Sequence, residues 1–241
     1  MTATGDTLRD RLLDAFLTHV AFDGWTDTAL AAAAKDCGQS VEMAKNAYPG
    51  GLLELASAFS GRTDRDMAAR LAAMDMNDVR IRDRIALGVR TRLEILAPHR
   101  EAVRHLSGFL ALPGQHGTAA RCVWKTASEI WYAAGDTSTD FNHYTKRGLL
   151  APVITATVLY WLADESEGFA DTWGFLDRRI DDVLAVTALK GKLEKKLKGF
   201  SPERFFRSRS RGGFGGFGGG LAGFRARATR GGFTRRTGRT F

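Results

Sequence analysis

The chain has 241 residues, 44% hydrophobic and 26% charged, proportions typical of a soluble globular protein rather than a fibrous or membrane-embedded one. Its net charge of +8 is uneven: residues 190–241 hold 15 Lys or Arg and two Asp or Glu, whereas residues 1–189 carry −5. The two cysteines lie far apart, with no CxxC pair and no secretory signal, which favours reduced thiols in a cytosolic protein.

Helical spacing of apolar residues dominates the acidic part of the chain, and almost nothing there has the pattern of a strand. Thr26 or Asp27 is expected to cap the second helix and Ser40 the third, while Pro98 ends the sixth. The fold class predicted is all-α. In chain order, the predicted helices are residues 8–22, 27–35, 41–48, 52–60, 63–74, 78–96, 99–111 and 118–134.

The first three helices have helix-turn-helix spacing and resemble the N-terminal region of TetR-type regulators. A Gly-aromatic turn follows the first helix, and a Gly-x-Ser turn precedes the third. Residues 1–60, however, hold four basic and eight acidic side chains, and the third helix offers only Lys45 and Asn46 beside Glu42. Because phosphate contacts require cations on the docking face, we interpret this region as a DNA-binding fold that has lost its function.

Catalytic and metal-binding motifs are absent from the sequence. The five histidines form no HExxH pattern, and no GxSxG, P-loop or dinucleotide fingerprint occurs. Glu101 and His105 lie one helical turn apart, which is commonly a surface pair. These patterns do not recommend an enzyme, and we expect neither a cofactor nor a metal.

Residues 148–163 form an uncharged segment that ends in Tyr160 and Trp161 and follows a predicted loop at residues 135–140. At 16 residues it is shorter than the roughly 18 of a membrane span, and it contains Pro152. Two interpretations stay open. The segment is either a helix packed on all sides by the protein or a helix that faces an apolar ligand, for which its small residues leave room.

The region from Phe141 to Val183 resembles the signature of a ubiquinone-biosynthesis accessory family, the lipid-binding partners of the demethoxyubiquinone hydroxylase. The resemblance is carried by the sequence HYTKR at residues 143–147, the apolar helix to Trp161, and Asp171-Thr172-Trp173 with Phe175 and Leu176. It implies a TetR-like fold with a degenerate DNA-binding region. It also implies a non-catalytic protein, expected to be a homodimer, that encloses an isoprenoid quinone and docks on the hydroxylase.

Candidate site residues follow from this resemblance and from the apolar helix. The lipid-binding candidates are Leu149, Leu150, Val153, Ile154, Thr157, Val158, Trp124 and Trp131. The candidates for docking on the hydroxylase are Tyr160, Trp161, Asp171 and Trp173. For Trp173 an alternative remains, in which the indole folds back on the start of its helix.

The last predicted helix, residues 171–198, ends in a basic amphipathic segment suited to an anionic membrane surface. Its membrane-contact candidates are Leu189, Lys192, Leu193, Lys196 and Leu197. The remaining residues, 200–241, are rich in Gly, Arg and Phe and are predicted to be disordered. A solvated helix end, or RNA binding by the tail, are the alternatives to membrane contact.

Three regions are thus predicted: a degenerate helix-turn-helix at residues 1–60, a helical lipid-binding domain at 61–199 and a basic tail at 200–241. The predicted function is presentation of an isoprenoid quinone intermediate to the hydroxylase. The predicted location is the cytoplasm of a bacterium, peripheral to the inner face of its cell membrane. The alternative function is a TetR-type, ligand-responsive transcriptional regulator.

Overall fold

The computed structural model describes the backbone of residues 3–136 and 141–198, and the side chains of residues 8–136, 143–183 and 185. This described part contains helices and no strand, so the all-α prediction is confirmed. By its internal contacts the chain divides into two units, Met1–Leu193 and Glu194–Phe241. The helices are α1 (Ala3–Asp23), α2 (Asp27–Asp36), α3 (Val41–Ala47), α4 (Gly51–Ala72), α5 (Ile81–Leu96), α6 (Arg100–Leu110), α7 (His116–Ala133), α8 (Phe141–Ala163) and α9 (Ala170–Lys198).

Helices α2 and α3 begin where their capping residues predict. The Thr26 hydroxyl accepts a hydrogen bond from the Ala29 amide at 3.3 Å, and the Ser40 hydroxyl accepts one from the Met43 amide at 3.1 Å. Each hydroxyl satisfies one of the amides that a helix start leaves unpaired, a contribution of about 1 kcal/mol. The ends of α2 and α3 are therefore fixed by local chemistry.

Tyr48 joins the end of α3 to α1. Its hydroxyl donates to the Arg9 carbonyl at 2.8 Å, while the Arg9 guanidinium lies over the Tyr48 ring and pairs with Glu54 at 2.7 Å. Burial raises the pKa of Tyr48 to about 12. The phenol therefore stays protonated, as its role as a hydrogen-bond donor requires.

Helix α4 corrects one prediction, because the two predicted helices at residues 52–60 and 63–74 form a single helix that ends at Ala72. Gly61, which lies between the two predicted helices, is buried within α4, and the Thr63 hydroxyl donates a hydrogen bond to the Phe59 carbonyl at 3.0 Å. A glycine inside a helix costs only about 1 kcal/mol. Burial of Phe59, Met67 and Leu71 on the same helix outweighs that cost.

Helix α5 begins at Ile81, three residues later than predicted. The preceding chain is held as a turn by Arg84, whose guanidinium donates to the carbonyls of Met76 at 2.6 Å and Val79 at 2.8 Å. Arg84 also donates to the carbonyl of Ala134 at 3.2 Å, just after α7. One side chain therefore satisfies the backbone groups of this turn and ties it to α7.

Helix α8 contains the uncharged segment but begins seven residues before it. One face is buried in the core, namely Leu150, Val153, Ile154, Thr157, Trp161 and Leu162. The opposite face, which includes Gly148, Pro152, Thr155 and Leu159, is exposed. The helix is therefore not enclosed on all sides, although its exposed face is uncharged. In the described part of the chain, no helix combines the length and hydropathy needed to cross a membrane.

Candidate functional site

A cavity of about 320 Å³ lies among α4, α5, α6, α7 and α8. Small-molecule sites typically occupy roughly 300–1,000 Å³ and are mostly apolar, so both its size and its lining fit such a site. Five helices contribute because each is amphipathic and turns part of its apolar face inward. The apolar lining includes Phe59, Leu96, Val103, Leu110, Val123 and Val158.

The cavity reaches the surface near the end of α6 and the middle of α8. Its lining residues Ala111, Thr155 and Leu159 are exposed, Leu159 to 55% of its full area. Leu112, which follows Ala111, is also exposed. Single exposed aliphatic residues are ordinary on protein surfaces, but an apolar opening above an apolar cavity is typical of a ligand entrance.

One wall of the cavity is polar and is built around Asp64, which is nearly fully buried. Arg92 lines the cavity and donates from Nε to Asp64 Oδ1 at 2.9 Å and from Nη2 to the Ser60 hydroxyl at 3.2 Å. Thr126 bonds through its hydroxyl to Asp64 Oδ1 at 2.9 Å. The Asp64 carboxylate therefore accepts hydrogen bonds from both Arg92 and Thr126, and the Asp64–Arg92 ion pair has no net charge.

A second concave surface, of about 210 Å³, lies between α5 and α9. Its centre is Trp173, whose indole Nε1 donates to the Gly168 carbonyl at 2.8 Å and whose ring lies 4.8 Å from the Arg90 guanidinium carbon. On α8, Tyr160 stacks on Phe175 of α9 with ring centres 4.6 Å apart and remains 38% exposed. Both aromatic side chains are therefore fixed in orientation yet partly open to solvent.

The turn between α8 and α9 positions this surface. Arg100 donates to the carbonyls of Trp161 at 2.7 Å and Asp164 at 2.6 Å, and Arg104 donates to the Leu162 carbonyl at 2.7 Å. These arginines satisfy the carbonyls that the end of α8 leaves unpaired and complement its dipole. Helix α6 therefore fixes where α8 ends.

Asp164 satisfies unpaired backbone amides just before and at the start of α9. Its carboxylate accepts hydrogen bonds from the amides of Ser166 at 2.8 Å and Thr172 at 2.9 Å, and from the Thr172 hydroxyl. Burial opposes ionisation, but the hydrogen bonds from Ser166 and Thr172 outweigh it and hold the pKa of Asp164 well below its usual range. The start of α9, and Trp173 with it, is thereby held by an ionised carboxylate.

Residues 116–187, which run from α7 through this turn into α9, match the family model described as COQ9. The chain is related to the COQ9 family. The resemblance predicted from residues 141–183 is thus confirmed.

Curated relatives extend the similarity beyond the matched segment. The chain is 32% identical to "Ubiquinone biosynthesis protein COQ9, mitochondrial" of Drosophila melanogaster over 193 residues, covering 78% of this chain and 59% of that protein. It is 31% identical to the human protein of the same name over 199 residues, covering 80% and 61%. The chain therefore spans about three-fifths of the length of these relatives.

The fold resembles that of a solved structure described as a TetR transcriptional regulator from Nitrosomonas europaea. The TM-score is 0.59 at 20% identity, and the match covers 74% of this chain and 98% of the regulator. At this identity the likeness shows the fold alone, and the predicted TetR-like fold is confirmed.

Of the eight residues predicted to bind lipid, the structure brings Ile154 and Val158 to the cavity. Leu150, Val153 and Thr157 are buried in the core instead, and Leu149 is half-buried away from the lining. The reason is the helical rotation of about 100° per residue, which points positions 154 and 158 at the cavity and positions 150, 153 and 157 elsewhere. Sequence reasoning could not tell these neighbouring faces of α8 apart.

The two tryptophans predicted to bind lipid also lie away from the cavity. Trp124 is exposed, with its ring centre 6.3 Å from that of Tyr144, and Trp131 is buried beneath the Lys146 ammonium at 5.2 Å. The α7 residues that do line the cavity are Ala119, Cys122, Val123 and Thr126. The apolar pattern of α7 therefore identified the helix but not its inner face.

Most of the cavity is lined by residues for which no role in the site was predicted. Phe59 and Ser60 on α4, Arg92 and Leu96 on α5, and Val103 on α6 were not predicted as site residues. Leu96 belongs to an apolar stripe on the predicted helix 78–96, which is the signal of a buried face and also includes Ile81, Ile85, Val89 and Leu93. Nothing in that stripe distinguishes contact with a cavity from contact with a neighbouring helix.

The predicted docking residues are partly corrected by the structure. Trp161 is fully buried, with its ring edge-on to Phe169 and 5.5 Å from the Arg100 guanidinium carbon, so it cannot form part of an exposed patch. Trp173 is half-buried and hydrogen-bonded to the Gly168 carbonyl, which agrees with the alternative in which its indole folds back. Tyr160 and Asp171 are exposed.

The basic residues of the HYTKR sequence form ion pairs that stabilise the fold. Arg147 is fully buried and donates from Nη1 to Asp136 at 3.2 Å and from Nε to the Ser128 hydroxyl at 3.1 Å. Lys146 pairs with the same carboxylate at 2.7 Å. These residues join the start of α8 to the end of α7, so part of the sequence that carried the resemblance holds the fold together.

The membrane-contact candidates Leu189, Lys192, Leu193, Lys196 and Leu197 lie on α9, whose backbone is helical to Lys198. Their side chains, and the whole predicted tail at residues 200–241, lie outside the described residues. Prediction of a membrane contact therefore rests on the sequence pattern alone.

Three further features that the sequence singled out are the Glu101–His105 pair, the exposed face of α3 and the histidines. Glu101 pairs with Arg104 at 3.2 Å rather than with His105. On α3, the exposed residues Glu42, Lys45 and Asn46 include a single cation. Within the stretches that the structure describes, no three His, Cys, Asp or Glu side chains cluster as a metal site requires.

Proposed function

We propose that this chain is a non-catalytic accessory protein of ubiquinone biosynthesis that binds an isoprenoid quinone intermediate and presents it to the demethoxyubiquinone hydroxylase. The relatives in the COQ9 family are named as ubiquinone biosynthesis proteins, which supports the pathway. The single observation that carries the lipid-binding part is the apolar cavity of about 320 Å³ with its apolar entrance.

The lining favours an apolar ligand on energetic grounds. Each methylene transferred from water to such a wall contributes about 0.8 kcal/mol. Ten buried carbons would contribute about 8 kcal/mol, enough to offset much of the cost of association. A long isoprenoid would exceed the cavity, and its remainder would leave through the entrance beside Leu159.

The chemistry of the lining supports a carrier rather than a catalyst. Among its described residues the cavity wall includes hydroxyls and one thiol, but no His, Asp or Glu lines it as a general base. In the proposal, the chain lowers the cost of removing an insoluble substrate from the bilayer and orients its ring. The hydroxylase then performs the reaction.

Docking on the hydroxylase is proposed for Tyr160, Asp171 and Trp173, which lie on the two helices that flank the turn between α8 and α9. Aromatic residues held in fixed orientations with one face in water are enriched at protein interfaces. Arg90 adds a planar cation over the Trp173 ring. Trp161 contributes indirectly, because its packing against Phe169 would stabilise the turn that precedes Trp173.

The lipid is tested by mass spectrometry of extracts from the purified protein, for which we expect a prenylated quinone or related isoprenoid. Val158→Trp fills the cavity and should remove the co-purified lipid. Val183→Trp, at a half-buried valine of α9 outside the lining, is the matched control and should retain it. Absence of any lipid from the unaltered protein would end this part of the proposal.

Docking is tested by measuring the affinity for the hydroxylase after Asp171→Lys, which changes an exposed charge and disturbs no buried side chain. We expect affinity to fall at least tenfold, with Tm lowered by only about 1–4 °C because Asp171 lies in the first turn of α9 and complements its dipole. Asp66→Lys, at an exposed position on α4, is the matched control. Equal effects of the two variants would contradict the location of the surface. Trp173→Lys alone is less decisive, because the indole also stabilises its own turn.

Membrane contact and pairing complete the proposal. The basic segment of α9 would lie on the inner face of the cell membrane. Lys192→Glu with Lys196→Glu should then abolish cosedimentation with anionic vesicles. We also propose that the chain forms a homodimer through its later helices. Light scattering at a monomer mass would exclude a stable dimer.

A transcriptional regulator is the alternative that this proposal must exclude. The measurement is a gel-shift assay at low salt with protein that lacks residues 199–241, since the basic tail would bind DNA non-specifically. Specific binding to a palindromic site would overturn the accessory function.

A further inference from the structure

Resting on the proposed lipid binding, we infer that Arg92 and Ser60 form a head-group site that selects neutral, oxygen-bearing lipids over fatty acids and other anionic lipids. Both residues line the cavity, and Arg92 is its one charged lining residue in the described part of the chain. Because the rest of the wall is mostly apolar, the polar head of a ligand is expected to lie beside these two side chains.

The polar groups on the wall divide into those already used and those still available. Ser107 donates its hydroxyl to the Val103 carbonyl at 2.8 Å, and Thr155 donates to the Ala151 carbonyl at 3.0 Å. These hydroxyl protons are therefore committed to their own helices. Thr126 is committed in the same way, to Asp64.

Two donors remain on the wall. Arg92 uses Nε and Nη2, and Nη1 has no hydrogen-bond partner among the residues that the structure describes. Ser60 accepts from Arg92, which leaves its own hydroxyl proton available. A ligand that satisfies these groups must offer acceptor oxygens, such as the carbonyl and ether oxygens of a substituted quinone or phenol ring.

Charge then discriminates between acceptor-bearing lipids. The Arg92 side chain is 11% exposed and that of Asp64 is 2% exposed, and they pair at 2.9 Å. Because Asp64 already neutralises Arg92, a ligand carboxylate would lose its hydration without gaining an unpaired cation, and it would also approach the Asp64 carboxylate. A neutral ring that accepts hydrogen bonds meets no such cost.

The test is displacement of a fluorescent apolar probe from the full chain by two ligands, a ubiquinone with two isoprene units and palmitate. We expect the unaltered protein to bind the quinone at least tenfold more tightly than palmitate. Equal affinities would overturn the inference while leaving lipid binding intact. Binding of neither ligand would overturn both the inference and the proposed function.

Two variants locate the selectivity. Arg92→Met should weaken quinone binding about tenfold, the factor that a hydrogen bond from a charged donor typically supplies. The exposed Arg70, which does not line the cavity, provides the matched control Arg70→Met. Asp64→Asn keeps an acceptor for Arg92 but removes its counter-charge, so palmitate affinity should rise at least tenfold. An unchanged preference in both folded variants would contradict the role of this pair.

Discussion

Replacement of Arg147 by methionine examines whether the start of α8 depends on a buried ion pair. The Arg147 side chain is fully buried, and its partner Asp136 is 5% exposed. Removing one partner of such a pair typically costs about 3–5 kcal/mol, because the remaining charge is left buried. Here Lys146 still lies 2.7 Å from Asp136 and compensates part of that charge. We therefore expect a loss of about 3 kcal/mol, at the lower end of the range.

The assay is thermal and urea unfolding followed by far-ultraviolet circular dichroism. For a domain of about this size, 1 kcal/mol corresponds to roughly 2–4 °C in Tm, so Arg147→Met should lower Tm by about 6–12 °C. The neighbouring Lys146→Met provides the control. Lys146 is 30% exposed, and loss of a partly exposed pair costs about 1 kcal/mol or less.

The comparison of these two variants tests whether the buried Arg147–Asp136 pair stabilises the fold. If Arg147→Met lowers Tm by less than about 2 °C, the buried pair contributes little and the physical account of the HYTKR sequence fails. If both variants cause equally large losses, Lys146 rather than Arg147 holds Asp136. In either case, the unfolding curves must remain single transitions for the comparison to be valid.

Two further predictions concern packing and pH. In Gly88→Ala the new methyl would lie 3.0 Å from Ile130 Cγ2, whereas in Gly108→Ala it would meet nothing within 4 Å. Both changes gain helix propensity, so their difference in unfolding free energy should isolate an overpacking cost of about 1–3 kcal/mol, and a smaller difference would show that Ile130 yields freely. The stabilisation from Asp164 is fully present above its unfolded-state pKa of about 4 and is lost as pH falls through its lowered folded-state pKa. Asp164→Asn should therefore reduce the acid sensitivity of Tm below pH 4, and unchanged sensitivity would assign it to other groups.

The local features of this protein could be predicted from its sequence, because they depend on neighbouring residues. Thr26 and Ser40 cap helices as predicted, since capping requires only a hydroxyl and the amide three residues later. The all-α class follows from apolar periodicity, which is also local. The sequence of residues 141–183 also indicated the COQ9 family, which the family model confirms over residues 116–187.

The site itself was decided by tertiary structure. Residues 150, 153, 154, 157 and 158 are similar in sequence terms, yet only Ile154 and Val158 face the cavity, because the packing of α8 fixes its rotation. Trp161 has the composition of an interface residue but is enclosed by Phe169 and Arg100. Arg92 approaches Asp64 only because α5 packs against α4. Each of these facts depends on contacts between residues distant in the chain, which periodicity and capping rules do not encode.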